Sequence, residues 1–182
     1  SPIFPSRASR AASATWRSGA RWCSRTRGGG LDLSKGKFTL VNNLIALNGN
    51  LATAVVGGLK VDPTGGLVAA NNTVAKNSTT SSASAGAICT TSATMYNMIV
   101  WGNVGASTQF QGCTFANSDV QGGATGSSNI NVDPKLNTSY KPQAAQCFNS
   151  GDKSAAGLGV LDLGGGPRVK GTQVDMGAYE IK

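Results

Sequence analysis

Eight carboxylates carry most of the acid–base chemistry open to this 182-residue chain, because it has no histidine. That absence removes every Ser–His or Cys–His nucleophile and every histidine-ligated zinc site. The acids are Asp32, Asp62, Asp119, Asp133, Asp152, Asp162, Asp175 and Glu180. Glycoside hydrolysis needs two carboxylates roughly 5–9.5 Å apart on one surface. Asp119 and Asp133 are the candidate catalytic pair, since they lie near the outward column expected to carry Tyr96, Trp101 and Gln121. Those three are the candidate ligand-binding residues. Aromatic rings stack on sugar faces, and an amide beside a carboxylate exchanges hydrogen bonds with hydroxyls. The rings could equally pack beneath a covering loop. Asp162, Asp175 and Glu180 cluster near Arg168, where a structural ion-pair group is expected. Asp32 and Lys60 read as a surface pair. Ser150 and Lys153 have S-x-x-K spacing but lie in an Asn/Gly-rich stretch without supporting context. No cofactor is expected, and calcium would require an acidic cluster that the sequence does not show.

Composition sets the setting for these residues. The chain is 40% hydrophobic and 13% charged, with 25 glycines, which suits one domain with a core. No apolar run approaches the roughly 20 residues of a transmembrane helix. The net charge of +8 is uneven: Arg7, Arg10, Arg17, Arg21, Arg25 and Arg27 fall in an acid-free opening stretch, leaving 10 cations against 8 anions elsewhere. Specific nucleic-acid binding by the body is therefore not expected. Residues 1–27 are expected to form a basic arm or capping segment, either disordered or a short helix with a basic stripe. Cys23, Cys89, Cys113 and Cys147 lack C-x-x-C spacing; they are buried hydrophobes or one or two disulfides, with the pairing open.

Residues 28–132 contain an internal repeat. Phe38–Asn42, Leu67–Asn71, Ala93–Asn97 and Cys113–Asn117 align, with apolar residues at alternate positions as in a strand buried on one face. The asparagines are 29, 26 and 20 residues apart, and three residues beyond each stands Ile45, Val74, Val100 or Val120. Six beyond come Asn48, Asn77 and Asn103. Such a period predicts an all-β fold, a solenoid whose stacked coils pair strand on strand. Asparagine suits the corners because it tolerates left-handed backbone and can bond its equivalent one coil away. Residues 133–182 are expected to be the C-terminal coil and cap of the same domain, ending in a short strand near Val174–Glu180.

Asn97-Met98-Ile99-Val100-Trp101-Gly102-Asn103 and the ending Asp162-Leu163-Gly164-Gly165-Gly166-Pro167-Arg168-Val169 to Val174-Asp175-Met176-Gly177-Ala178-Tyr179-Glu180 resemble the pectate-lyase-like right-handed parallel β-helix proteins of bacterial surfaces. The likeness covers roughly residues 28–182. It departs at Gly165, where that family has aspartate, and at the arginine-rich front, which stands in place of further coils. The resemblance implies an extracellular or cell-surface location. It also implies an adhesin-like module that recognises polysaccharide or cell-surface glycan. The alternative is a carbohydrate-active hydrolase, lyase or esterase using outward carboxylates. An open end of the stack would let a second copy pair as a homodimer.

Overall fold

The computed structural model describes residues 16–18, 21–24, 29–51, 56–80, 86–105 and 108–182, the first two stretches as backbone only. Twelve strands are described. β1 (Trp16–Ser18), β3 (Leu31–Val41), β5 (Leu59–Ala70), β7 (Ala87–Cys89) and β10 (Phe110–Gln111) succeed one another in a seven-stranded sheet. β8 (Thr94–Tyr96) also joins β5, and β11 (Thr114–Ala116) joins β8. The second sheet runs β12 (Asp119–Val120), β9 (Ile99–Trp101), β6 (Thr73–Ala75), β4 (Asn43–Ala46) and β2 (Arg21–Ser24). Every strand pair in both sheets is parallel.

The pairing follows the repeat. Leu40 lies beside Ala69, Ala69 beside Met95 and Met95 beside Phe115, all buried. In the second sheet Ile45, Val74, Val100 and Val120 form a second buried column in the same register. The two columns face each other and, with Leu33, Leu59 and Val61, form the main core. Between the sheets the chain turns at Asn42, Asn71, Asn97 and Asn117, whose φ angles of 55°, 54°, 56° and 51° lie in the left-handed region. Asparagine adopts that region more readily than other non-glycine residues, which is why it recurs there.

The expected amide ladder at these corners is present in one rung, Asn97 Nδ2 donating to Asn71 Oδ1 at 3.1 Å. The longer ladder stands six residues on. Asn48 Nδ2 donates to Asn77 Oδ1 at 3.0 Å and Asn77 Nδ2 to Asn103 Oδ1 at 2.9 Å. Gln109 continues it, its Oε1 accepting from Asn103 Nδ2 at 2.9 Å. All three asparagines are buried, so the ladder satisfies polar groups that would otherwise be costly to desolvate.

The expectation of a right-handed parallel β-helix solenoid with a C-terminal cap is corrected here. The described chain is all-β with parallel sheets, the larger curled like half a barrel, and no solenoid of closed coils is seen among the described residues. Shortening repeats leave two walls rather than stacked rings, and β5 forks onto β7 and β8 instead of meeting one successor. Residues 133–182, expected as a final coil and cap, form no coil of strands. Beyond Val120 there is no strand, only a 3-10 turn at Ala145–Cys147 and isolated bridges such as Gly151 with Val174. The expected final strand near Val174–Glu180 is thus replaced by irregular backbone. This segment runs as a strap along the asparagine corners. Asn97 Nδ2 donates to Asp152 O at 2.9 Å, Asn71 Nδ2 to Asp175 O at 3.0 Å, and Asn42 Nδ2 to Leu161 O at 2.6 Å. The corner amides turn outward to hold it, which is why they make so few rungs among themselves. Within the opening stretch, β1 and β2 are strands rather than a basic-striped helix, and they extend both sheets beyond β3 and β4. The rest of the basic arm of residues 1–27 lies outside the described residues.

Candidate functional site

Alternation places the side chains of Leu44, Thr73, Ile99 and Asp119 on the side of the second sheet away from the core, yet all four are buried. The strap covers them. Thr73 Oγ1 accepts from Ala178 N at 3.0 Å, and a Cβ on Gly177 would sit 2.7 Å from Ile99 Cδ1. Gly177 also has φ +86°, so close approach and backbone shape both call for glycine. Ile99, Ala144, Cys147 and Met176 form a second apolar cluster, against which Trp101, Ile130, Leu136 and Phe148 pack.

Asp119 is sealed in this layer at 0% exposure. Its Oδ1 accepts from Val132 N at 3.2 Å and its Oδ2 from Cys147 Sγ at 3.4 Å. Burial pushes its pKa up from 3.8 to about 6, against the opposing pull of the Val132 and Cys147 hydrogen bonds; nearby Asp133 adds a small upward push. Burial, then Asp119, drives the Cys147 thiol far upward, so it stays protonated. Asp133 itself is exposed, with Oδ1 accepting from Lys135 N at 2.9 Å in a local turn. The two candidate catalytic residues are therefore neighbours, but one of them has no surface that a sugar could reach.

The candidate binding residues also separate. Trp101 packs beneath the strap, and Gln121 Oε1 is occupied by Gly102 N at 2.7 Å. Tyr96 lies on the other side of the Asn97 corner, in the larger sheet, and is half-buried. Because Met95 points into the core, Thr94 and Tyr96 share the outer face of β8. Thr94 pairs with exposed Thr114. Further along the same sheet, Asp32, Lys60, Ile88 and Gln111 form an aligned outward column. Lys60 Nζ lies 3.7 Å from Asp32 Oδ2, the surface pair the sequence predicts. None of Asp32, Lys60, Ile88 or Gln111 is buried, so this face stays open to solvent there and at Thr94 and Thr114.

Every acid in the chain has a structural partner. Besides those above, Asp62 accepts from Thr90 Oγ1 at 2.5 Å, and Asp152 Oδ1 from Ser154 N and Oγ at 2.8 and 2.6 Å, which lowers its pKa. Asp175 accepts from Asn149 N at 2.7 Å and from Ile181 N at 2.6 Å. Asp162 accepts from Gly166 N and Glu180 N, both at 2.8 Å. Arg168 Nη2 meets Glu180 Oε2 at 2.7 Å, both side chains fully buried, and Arg168 Nη1 donates to Asn42 Oδ1 at 3.0 Å. Glu180 is the ion partner of Arg168; Asp162 and Asp175 instead cap backbone N–H groups of the strap. Burial holds the Glu180 pKa above its ordinary value despite that cation. Among the described residues, no group of three or more His, Cys, Asp or Glu could hold a metal ion.

Cys89 and Cys113 form a disulfide and Cys147 is a buried thiol. Spacing alone could not select that pair; the register that lays Ala87 beside Phe110 is what brings them together. The role of Gln109 in the ladder was likewise invisible, since it breaks the repeat's spacing. No helix among the described residues is long and apolar enough to cross a membrane. Compared with known proteins, the chain matches no family model, no curated protein and no solved structure.

Proposed function

We propose that this chain is an exported surface module that recognises polysaccharide or cell-surface glycan through the outer face of its larger sheet, without turning it over. The observation that carries the reading is where the strap's cover stops: it buries the outer side of the second sheet and lies against Val41 and Val68 of the larger one, while Thr114 stays exposed beside half-buried Thr94 and Tyr96. A ring beside hydroxyls suits a sugar, which offers an apolar face edged by donors and acceptors. Binding is favoured over hydrolysis because Asp119 is sealed from any sugar and the other carboxylates already serve hydrogen bonds or ion pairs. The disulfide supports export, since such bonds persist in oxidising compartments. The likeness of the strap sequence to pectate-lyase-like surface proteins points the same way. Affinity electrophoresis through gels containing pectin, alginate or β-glucan tests this. At least one polymer should retard the chain, and Tyr96→Ala with Thr94→Ala should reduce retardation roughly tenfold or more in affinity, as losing a stacked ring does. Equal retardation of the double variant would overturn the assignment of this face. Release of reducing ends, lost in Asp119→Asn, would favour the hydrolase alternative instead.

A further inference from the structure

Three segments of the chain have the Asn-x-Ser/Thr form that marks an N-glycosylation acceptor: Asn71-Asn72-Thr73, Asn77-Ser78-Thr79 and Asn137-Thr138-Ser139. Their amides have very different surroundings. Asn71 is fully buried and its Nδ2 donates to Asp175 O at 3.0 Å, holding the strap. Asn77 is fully buried and its Nδ2 donates to Ile45 O at 3.0 Å and Asn103 Oδ1 at 2.9 Å, in the middle of the ladder. Asn137, Thr138 and Ser139 are all exposed, at the tip of a turn closed by Tyr140 N donating to Asn137 O at 2.9 Å. Asn137 Oδ1 accepts from Ser139 N at 2.9 Å and Lys141 N at 3.0 Å. These bonds hold the carbonyl side of the amide to the turn, in a residue that is itself exposed, as is Ser139 two positions on.

We infer that Asn137 is a glycan attachment site, and that folding closes the other two acceptor sequences. The donor class is an oligosaccharide carried on a polyprenyl pyrophosphate. Nδ2 attacks the anomeric carbon of the first sugar, forming the N–C bond as the C–O bond to the pyrophosphate breaks. The polyprenyl pyrophosphate departs with the electron pair, and the amide proton passes to a base of the transferase. Occupancy in a cell rests on the export proposed above, but the chemistry of the site does not. The turn lies by the second sheet, where Lys76 Nζ sits 5.7 Å from the Tyr140 ring, just beyond the end of β6.

The test uses the purified, folded, disulfide-bonded chain with a single-subunit oligosaccharyltransferase and a lipid-linked oligosaccharide. Peptide mass analysis should find one glycan, on the peptide containing Asn137. Asn137→Gln and Ser139→Ala should each abolish it; the second keeps the asparagine and the backbone bond of the turn. In the reduced, denatured chain, modification of Asn71 and Asn77 should rise by more than about a hundredfold, because reaching them in the folded chain requires opening the core. An unmodified Asn137 in folded protein, while the denatured chain is modified, would overturn the inference. So would glycan on Asn71 or Asn77 of the folded chain. Neither result depends on whether the protein is exported or binds polysaccharide.

Discussion

The thiol of Cys147 donates a hydrogen bond to the carboxylate of Asp119 at 3.4 Å, joining the strap to the last strand of the second sheet in a site with no access to water. A carboxylate so placed is a poor catalyst and a sensitive reporter of folding.

Asp119 makes stability depend on pH. Its folded pKa of about 6 lies above the ordinary 3.8, so between those values the folded chain holds a proton that the unfolded chain has lost. This contribution is full below pH ~4 and is lost as pH rises through ~6, amounting to about 3 kcal/mol at 1.36 kcal/mol per unit. Urea unfolding of the wild type and Asp119→Asn at pH 4 and pH 7.5 measures it. The variant should gain on the wild type by up to that amount on going to pH 7.5. A difference independent of pH would contradict the assignment.

Asn77 is the middle rung of the ladder, and its side chain serves donors and acceptors on both sides. Asn77→Ala removes the acceptor of the Asn48 side-chain and backbone donors and the donor to Ile45 O. Each orphaned buried group costs about 1–3 kcal/mol, so a loss of roughly 3–5 kcal/mol is expected in denaturant unfolding. A loss under about 1 kcal/mol would mean the ladder is not closed.

Arg168 reaches both the strap's end and the first corner. Arg168→Met should cost about 3–5 kcal/mol, because it leaves the Glu180 carboxylate buried without its cation. Adding Glu180→Gln should recover part of that loss. A double variant no more stable than the single one would show that the lost Asn42 contact, rather than the ion pair, dominates.

The disulfide between Cys89 and Cys113 spans 24 residues. Loop-closure entropy for that length is about 3 kcal/mol. Replacing both with alanine should lower the unfolding free energy by roughly that amount in urea unfolding, with a steeper slope because the uncrosslinked denatured chain exposes more surface.

What the sequence shows of this molecule is what is local and periodic. Alternation over two residues reveals Leu40, Ala69, Met95 and Phe115 as one buried column, and the asparagines mark the corners because few other residues accept a left-handed φ. The same alternation misleads at Leu44, Thr73, Ile99 and Asp119. Their outward side chains are buried by a strap about a hundred residues away for Thr73, and no local pattern records that. In the ending from Asp162 to Glu180, Asp162 and Asp175 cap backbone groups, Arg168 pairs with Glu180, and Gly177 fits a tight approach to Ile99. That ending looks like chemistry in the sequence and is structural in the fold. Among the candidate binding residues, Tyr96 and Trp101 are both half-buried but on different sheets, because one precedes the Asn97 corner and the other follows it.

The placing of the binding face at Thr94, Tyr96 and Thr114 is tested most directly by amide chemical-shift mapping during titration with an oligosaccharide of a retarding polymer. Shifts should cluster at Thr94, Tyr96 and Thr114, with Asp119, Cys147 and Trp101 unmoved and no new reducing ends formed. Shifts centred on Asp119 and Asp133, or cleavage of the added sugar, would contradict the account.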